Sequence, residues 1–200
     1  MKIILEKRNL LVLTLLLMLG STFGFAQKNI IKARAIYLPA DNPTYSFGLG
    51  YERVITDNIT VQLLYNSSQF TPGFDAETTK SQGFVPEVRY YLGKKDDLRK
   101  KLFFAVFTEL YTFNKTGGMP QYNLDYSWVE SNGNMTSLGV MIGKNNSLGK
   151  HFLIDIYFGF RYKFEKGINT FRRTNGELFF KDFKEAIPEA RFGLNVGYLF

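Results

Sequence analysis

The last twelve residues, Glu189 to Phe200, read E-A-R-F-G-L-N-V-G-Y-L-F. Ala190, Phe192, Leu194, Val196, Tyr198 and Phe200 form one apolar row. Glu189, Arg191, Gly193, Asn195 and Gly197 form a polar or small row between them, broken only by Leu199. Successive side chains of a strand point to opposite faces, so the segment is a ribbon with one greasy side and one small, polar side.

Seven further segments show the same period of two between turn signals. They are Ile30–Leu38, Thr44–Ile55, Ile59–Ser67, Gly83–Leu92, Leu102–Phe113, Asn134–Gly143 and Phe152–Phe164. The seventh carries Phe152, Ile154, Ile156, Phe158, Phe160, Tyr162 and Phe164 in one row, against Asp155, Tyr157, Gly159, Arg161 and Lys163. The connections alternate as well. Links 56–58, 93–101 and 144–151 are short, whereas 68–82, 114–133 and 165–188 are long. An even strand count with short turns at one end and long loops at the other is the pattern of a bacterial outer-membrane barrel. Both termini then fall at the short-turn, periplasmic end.

The beginning of the chain points to export. Lys2, Lys7 and Arg8 precede a run from Leu10 to Leu19 that is apolar apart from Thr14, and Gly20, Ser21, Gly24 and Ala26 follow. A basic region, a short apolar run and a small-residue site make a signal peptide. The run is too short to span a bilayer as a helix, which takes ~20 apolar residues. Cleavage is expected after Ala26, leaving 27–200 as a single domain. The leader carries a net +2 of the chain's +7, so the mature charge is a modest +5. No basic stripe suggests a nucleic-acid partner. Without cysteine there is no disulfide, thiol chemistry or lipid anchor on cysteine.

Alternation alone does not say which face is outside; a soluble barrel or sandwich would turn its apolar row inward. Two features favour the membrane. The polar row is rich in Gly and Ser (Ser46, Gly48, Gly50, Ser137, Gly139, Gly159, Gly193, Gly197), which suits the narrow interior of an eight-stranded barrel. Aromatic residues make up 16% of the chain and crowd strand ends, where Tyr45, Tyr51, Phe84, Tyr90, Tyr162, Phe164, Phe192 and Tyr198 can form two interfacial girdles. The expected fold is all-β, an eight-stranded antiparallel up-and-down transmembrane barrel with a filled polar lumen.

A six-residue pattern occurs twice, as V-P-E-V-R-Y at 85–90 and I-P-E-A-R-F at 187–192. Pro lacks a ladder donor and is tolerated at a strand start. Glu87 with Arg89, and Glu189 with Arg191, share the inward face. A buried charge must be paired. The available partners on inward rows are Lys32, Arg34, Glu52, Glu109, Asp155, Arg161 and Lys163. These residues predict a salt-bridged plug that sets register and closes the pore, rather than a proton or substrate path.

With its signal peptide, P-E-x-R-[YF] strand and aromatic C-terminal strand, the chain resembles a family of small Bacteroidota outer-membrane β-barrels of unknown function. More loosely, it resembles the transmembrane barrel of outer-membrane protein A. The resemblance implies assembly by the barrel-assembly machinery, which reads a terminal aromatic strand such as that ending in Tyr198 and Phe200. It carries over no catalytic or binding residue.

Enzymes among small barrels need a histidine base beside a serine or acid near the outer rim. The single histidine, His151, is expected at the opposite, periplasmic rim. No phosphate loop, nucleophile elbow or metal-spaced His/Cys cluster is present, and an acid-only site at Glu77, Asp125 or Glu130 has no support. No enzyme, cofactor or metal is expected. Contacts would come from the outer loops. Tyr122, Tyr126 and Trp128 lie in one, and Phe171, Arg172 and Arg173 in another, before Asn175-Gly176, a hairpin signal. Strands 7 and 8 can therefore extend above the membrane as a ribbon. The expected partners are outer-membrane lipid or lipopolysaccharide and an unidentified extracellular ligand. A narrow channel and a lipid-modifying hydrolase are the competing classes.

Overall fold

The computed structural model describes residues 29–38, 44–70, 78–93, 101–117 and 126–200. The leader, its cleavage site, Glu77, Tyr122 and Asp125 lie outside these residues. Eight strands run β1 Asn29–Leu38, β2 Thr44–Val54, β3 Ile59–Phe70, β4 Thr78–Tyr91, β5 Leu102–Thr116, β6 Tyr126–Leu148, β7 Phe152–Arg173 and β8 Leu178–Leu199. Each pairs antiparallel with the next, and β8 returns to β1, closing a ring. There is no helix among the described residues.

Side chains alternate as the period of two requires. On β7, Phe152, Ile156, Phe158, Phe160, Tyr162 and Phe164 are exposed on the outside, while Leu153, Asp155, Tyr157 and Gly159 are buried inside. The outward row continues round the ring through Leu49, Val61, Val88, Val106, Val140 and Leu194, each 43% exposed or more. The buried interior is the lumen, which holds both charged and apolar groups. Phe103, Phe107, Tyr111 and Phe113 share the inward face of β5 with Glu109, so the filling is partly aromatic rather than only polar and small. Several inner glycines make room for these rings. A Cβ on Gly143 would lie 2.3 Å from Phe103 Cζ, and one on Gly139 would lie 2.4 Å from Phe107 Cζ.

The strands are longer than the sequence pattern indicates, mostly at the end away from the termini. β6 reaches back to Tyr126, β7 on to Arg173, and β8 starts at Leu178, so most of 165–188 is strand rather than loop. β7 and β8 stay in register from Phe152↔Tyr198 to Arg172↔Leu178. Their turn centres on Gly176, with a positive φ of 87°, and Asn175 Oδ1 accepts from Glu177 N at 3.0 Å. The long pairing stabilises residues that alternate too poorly to read as strand, because backbone ladder bonds do not depend on side-chain patterning. At the other end Asn29 N donates to Phe200 O at 3.1 Å, and Phe200 N donates to Asn29 O at 3.0 Å.

The β4–β5 ladder has a gap and the β1–β8 ladder is short. β4 pairs Phe84 with Leu110 and resumes at Glu87 with Phe107, stepping over Val85 and Pro86. Proline has no N–H for the ladder. The β1–β8 ladder joins Ile30–Ala33 to Val196–Leu199, although β8 continues to Leu178.

Candidate functional site

The inward rows bring eleven expected charged residues into two groups within the lumen. The group nearer the termini sets Lys32, Arg34 and Arg89 against Glu52, Glu87 and Asp155. All six are at most 8% exposed. Asp155 on β7 accepts from Lys32 Nζ at 2.7 Å and from Arg89 Nη1 at 2.5 Å, across the ring from β1 and β4. Lys32 also pairs with Glu52, and Arg89 with Glu87. Polar side chains satisfy further oxygens: Thr60 Oγ1 donates to Glu52 at 2.6 Å, Tyr91 Oη at 2.8 Å, and Asn195 Nδ2 to Asp155 at 3.3 Å. Arg34 Nε donates to Asn195 Oδ1 at 2.9 Å, and its Nη2 to Tyr157 Oη.

The second group lies toward the far end and forms one alternating chain. Lys115 pairs with Glu165 at 3.0 Å, Glu165 with Lys163 at 3.1 Å, and Lys163 with Glu189 at 2.5 Å. Glu189 then pairs with Arg161 at 2.5 Å, Arg161 with Glu109, and Glu109 with Arg191 at 3.6 Å. Lys115 and Glu165 escape the sequence reading, which ends strands 5 and 7 at Phe113 and Phe164. Their parity with Glu109 and Lys163 is the signal that would have found them.

The two copies of the P-E-x-R pattern are not one repeated device. Glu87 and Arg89 pair with each other, but Glu189 turns to Arg161 and Lys163, and Arg191 to Glu109. The cross-strand neighbours explain the difference. Arg89 lies opposite Thr60 and Ala105, neither charged, so its carboxylate partners must come from its own strand and from across the lumen. Glu189 lies opposite Arg161, and directly opposed charges attract.

Aromatic rings carry the guanidinium faces, a feature the sequence did not suggest. Arg89 Cζ lies 4.2 Å from the Phe103 ring centroid and Arg191 Cζ 4.1 Å from that of Phe107; Arg34 and Arg191 flank Tyr157 at 5.3 and 5.2 Å. A guanidinium is weakly hydrated and planar, so a ring face compensates it where water is excluded.

The chain's sequence matches one family's pattern over residues 11–200, described as a protein of unknown function (DUF3575). It belongs to DUF3575. No curated protein matches it. Among solved structures, it is similar to the crystal structure of a major outer membrane protein from Thermus thermophilus. The TM-score is 0.59 at 12% identity, covering 88% of this chain and 100% of that one. At that identity the likeness is one of fold, an eight-stranded outer-membrane-type barrel.

Above the second charge chain, this DUF3575 barrel opens into a cup of about 390 Å³. Lys115, Arg161, Lys163, Glu165 and Glu189 line it, beside Phe70, Tyr111, Phe113 and Met135. The expected loop residues sit elsewhere. Tyr126, Trp128, Phe171, Arg172 and Arg173 belong to strands rather than loops. Phe171 stacks on Phe179 at 5.0 Å, Arg173 caps Phe179 at 5.4 Å, and Arg172 is exposed. Tyr126 and Trp128 pair in register with Arg173 and Phe171, with a bulge between Trp128 and Glu130.

His151 is exposed at the termini end, where its ring stacks on Tyr198 at 5.6 Å and its Nδ1 lies 3.1 Å from Leu199 O. Glu130 Oε1 accepts from Asn132 at 3.2 Å. Among the described residues, no three His, Cys, Asp or Glu side chains converge to hold a metal.

Proposed function

We propose that this chain is an exported, integral β-barrel of a Gram-negative outer membrane, of Bacteroidota type, with a plugged lumen and a non-enzymatic role. One observation carries the reading. The ring turns Phe104, Val106, Leu138, Val140, Phe158 and Phe160 outward, each 47% exposed or more, and keeps Lys32, Glu52 and Arg89 fully buried inside. A soluble exported domain would reverse this arrangement, since exposed apolar patches beyond a few hundred Å² are rare in water. A closed barrel leaves no unpaired edge in hydrocarbon, and ~9–11 tilted residues suffice to cross.

The termini would then face the periplasm, and Tyr198 and Phe200 would present the aromatic strand to the barrel-assembly machinery. β7 and β8, at 22 residues each, are about twice the crossing length, so their far halves stand outside the cell. That sheet, with exposed Arg172 and Arg173, is placed to meet lipopolysaccharide or an extracellular partner. Its role is surface structure or contact.

Fractionation is the test. The mature chain is expected to pellet with outer membranes and to change gel mobility on heating. Recovery in the periplasmic fraction would overturn the reading. In planar bilayers the plugged lumen is expected to show no steady conductance; sustained single-channel openings would instead favour a narrow channel.

A further inference from the structure

The outer wall is not evenly covered. Register sets Val88, Val106 and Val140 side by side on β4, β5 and β6, with Phe160 of β7 at the end of the row. The next outward row toward the termini is bulkier, with Tyr90, Phe104, Ile142 and Phe158. Between the two rows run Arg89, Ala105, Met141 and Gly159. These four belong to the buried inner row, so they offer this face only backbone.

The result is a groove of about 550 Å³ on the outside of the ring, reaching from Ile59 on β3 to Phe160 on β7. That volume lies within the usual range for small-molecule sites, roughly 300–1,000 Å³. Four strand spacings of ~4.8 Å make it ~19 Å long, a span suited to an extended hydrocarbon chain. Its outward side chains are all aliphatic or aromatic. A cation stands at its edge. Lys144 follows Ile142 on the outward row of β6, between Leu102 and Ile156, and is exposed. It lies on the side of the groove nearer the termini, two residues or ~7 Å from Ile142.

We propose that this groove holds one phospholipid of the leaflet nearer the termini, with an acyl chain lying across β4 to β7 and the phosphate on Lys144. Inside a bilayer no hydrophobic drive holds the chain, so retention depends on van der Waals contact and on polar pairing. The groove supplies contact from two sides and a floor, where a smooth wall supplies a floor alone. Lys144 supplies the pairing, and its flexible stem lets the ammonium reach the head-group level. A second barrel does not fit, because its convex wall cannot reach the backbone floor between the rows. The inference rests on the membrane reading above and deepens it by naming the lipid and its place on the wall.

The experiment uses the full mature barrel in a non-ionic detergent and counts bound lipid by native mass spectrometry. The probes are phosphatidylglycerol and diacylglycerol, which lacks the phosphate. A one-lipid species in excess of the statistical ladder is expected with phosphatidylglycerol and not with diacylglycerol. Val106→Trp fills the middle of the groove and is expected to remove the excess. Leu49→Trp, on the outward face of β2, is expected to keep it. Lys144→Gln is expected to weaken binding about fivefold, the worth of one lysine at an anionic lipid surface, and Lys144→Arg to preserve it. Heat-dependent gel mobility verifies that each variant is folded. A purely statistical ladder, equal retention of diacylglycerol, or an unchanged excess in a folded Val106→Trp or Lys144→Gln barrel would overturn the inference. Pelleting with outer membranes would survive that outcome, whereas recovery in the periplasm would remove the membrane reading itself.

Discussion

Asp155 is the side chain on which the plug turns. It receives Lys32 at 2.7 Å and Arg89 at 2.5 Å while 1% exposed, so Asp155→Ala leaves Lys32, Arg34 and Arg89 to share Glu52 and Glu87 in a space closed to water. Removing one partner of a buried pair costs about 3–5 kcal/mol, because the remaining charge keeps its desolvation penalty and loses its compensation. Urea unfolding of the barrel in lipid vesicles should register this. With a slope of about 1–3 kcal/mol per molar, the midpoint is expected to fall by on the order of 2 M. The companion variant decides the cause. Asp155→Leu with Lys32→Met leaves Arg34 and Arg89 balanced by Glu52 and Glu87, and it should regain most of the loss, since apolar replacement of a whole buried pair is often neutral or better. A loss below about 1 kcal/mol in the single variant, or a double variant no more stable than the single, would refute the compensation argument.

Three other perturbations probe the wall and the turn. Val140, 58% exposed on the outer face, is expected to resist charge, and Val140→Arg should cost about 2–4 kcal/mol in a bilayer. A soluble barrel would be nearly indifferent to that change, so vesicle refolding separates the two. Gly139→Ala would place a Cβ 2.4 Å from Phe107 Cζ and 2.6 Å from Phe160 O. Because one obstacle is backbone, a loss of about 1–3 kcal/mol in urea midpoint assays is expected, which trimming Phe107 should relieve only in part. Gly176→Val, at a φ of 87°, is expected to strain the outer hairpin. Limited proteolysis should then cut near residues 174–177 while the barrel's heat-dependent mobility persists.

The strand count, the inward rows and the charged lumen were legible in the sequence for one physical reason. A strand wall between two unlike environments imposes a period of two, and a residue's parity gives its face. Lys32, Glu52, Arg89 and Asp155 could be placed inside by parity once the Gly- and Ser-rich row was read as the inner one. So could the turn at Asn175-Gly176, because few residues adopt its backbone. The same rule failed above the wall, where Arg172, Arg173 and most of Leu178 to Glu185 are exposed, with only Phe179 and Phe183 half-buried, yet the segment remains strand through the β7–β8 ladder.

Parity assigns a face but no partner. That Arg89 folds back on Glu87 while Glu189 reaches Arg161 follows from register, which sets Arg89 opposite Thr60 and Ala105, and Glu189 opposite Arg161. Two segments that share Pro, Glu and Arg at the same spacing thus meet different neighbours and do different work. The stacking of Arg191 on Phe107 and the ring's place over Gly139 likewise depend on which strands adjoin across the lumen. The alternation of residues along eight segments is enough for a barrel with charge inside. Only ring closure, which brings distant strands to fixed heights around one axis, settles which of those charges meet, as Asp155 meets Lys32 and Arg89 across the lumen.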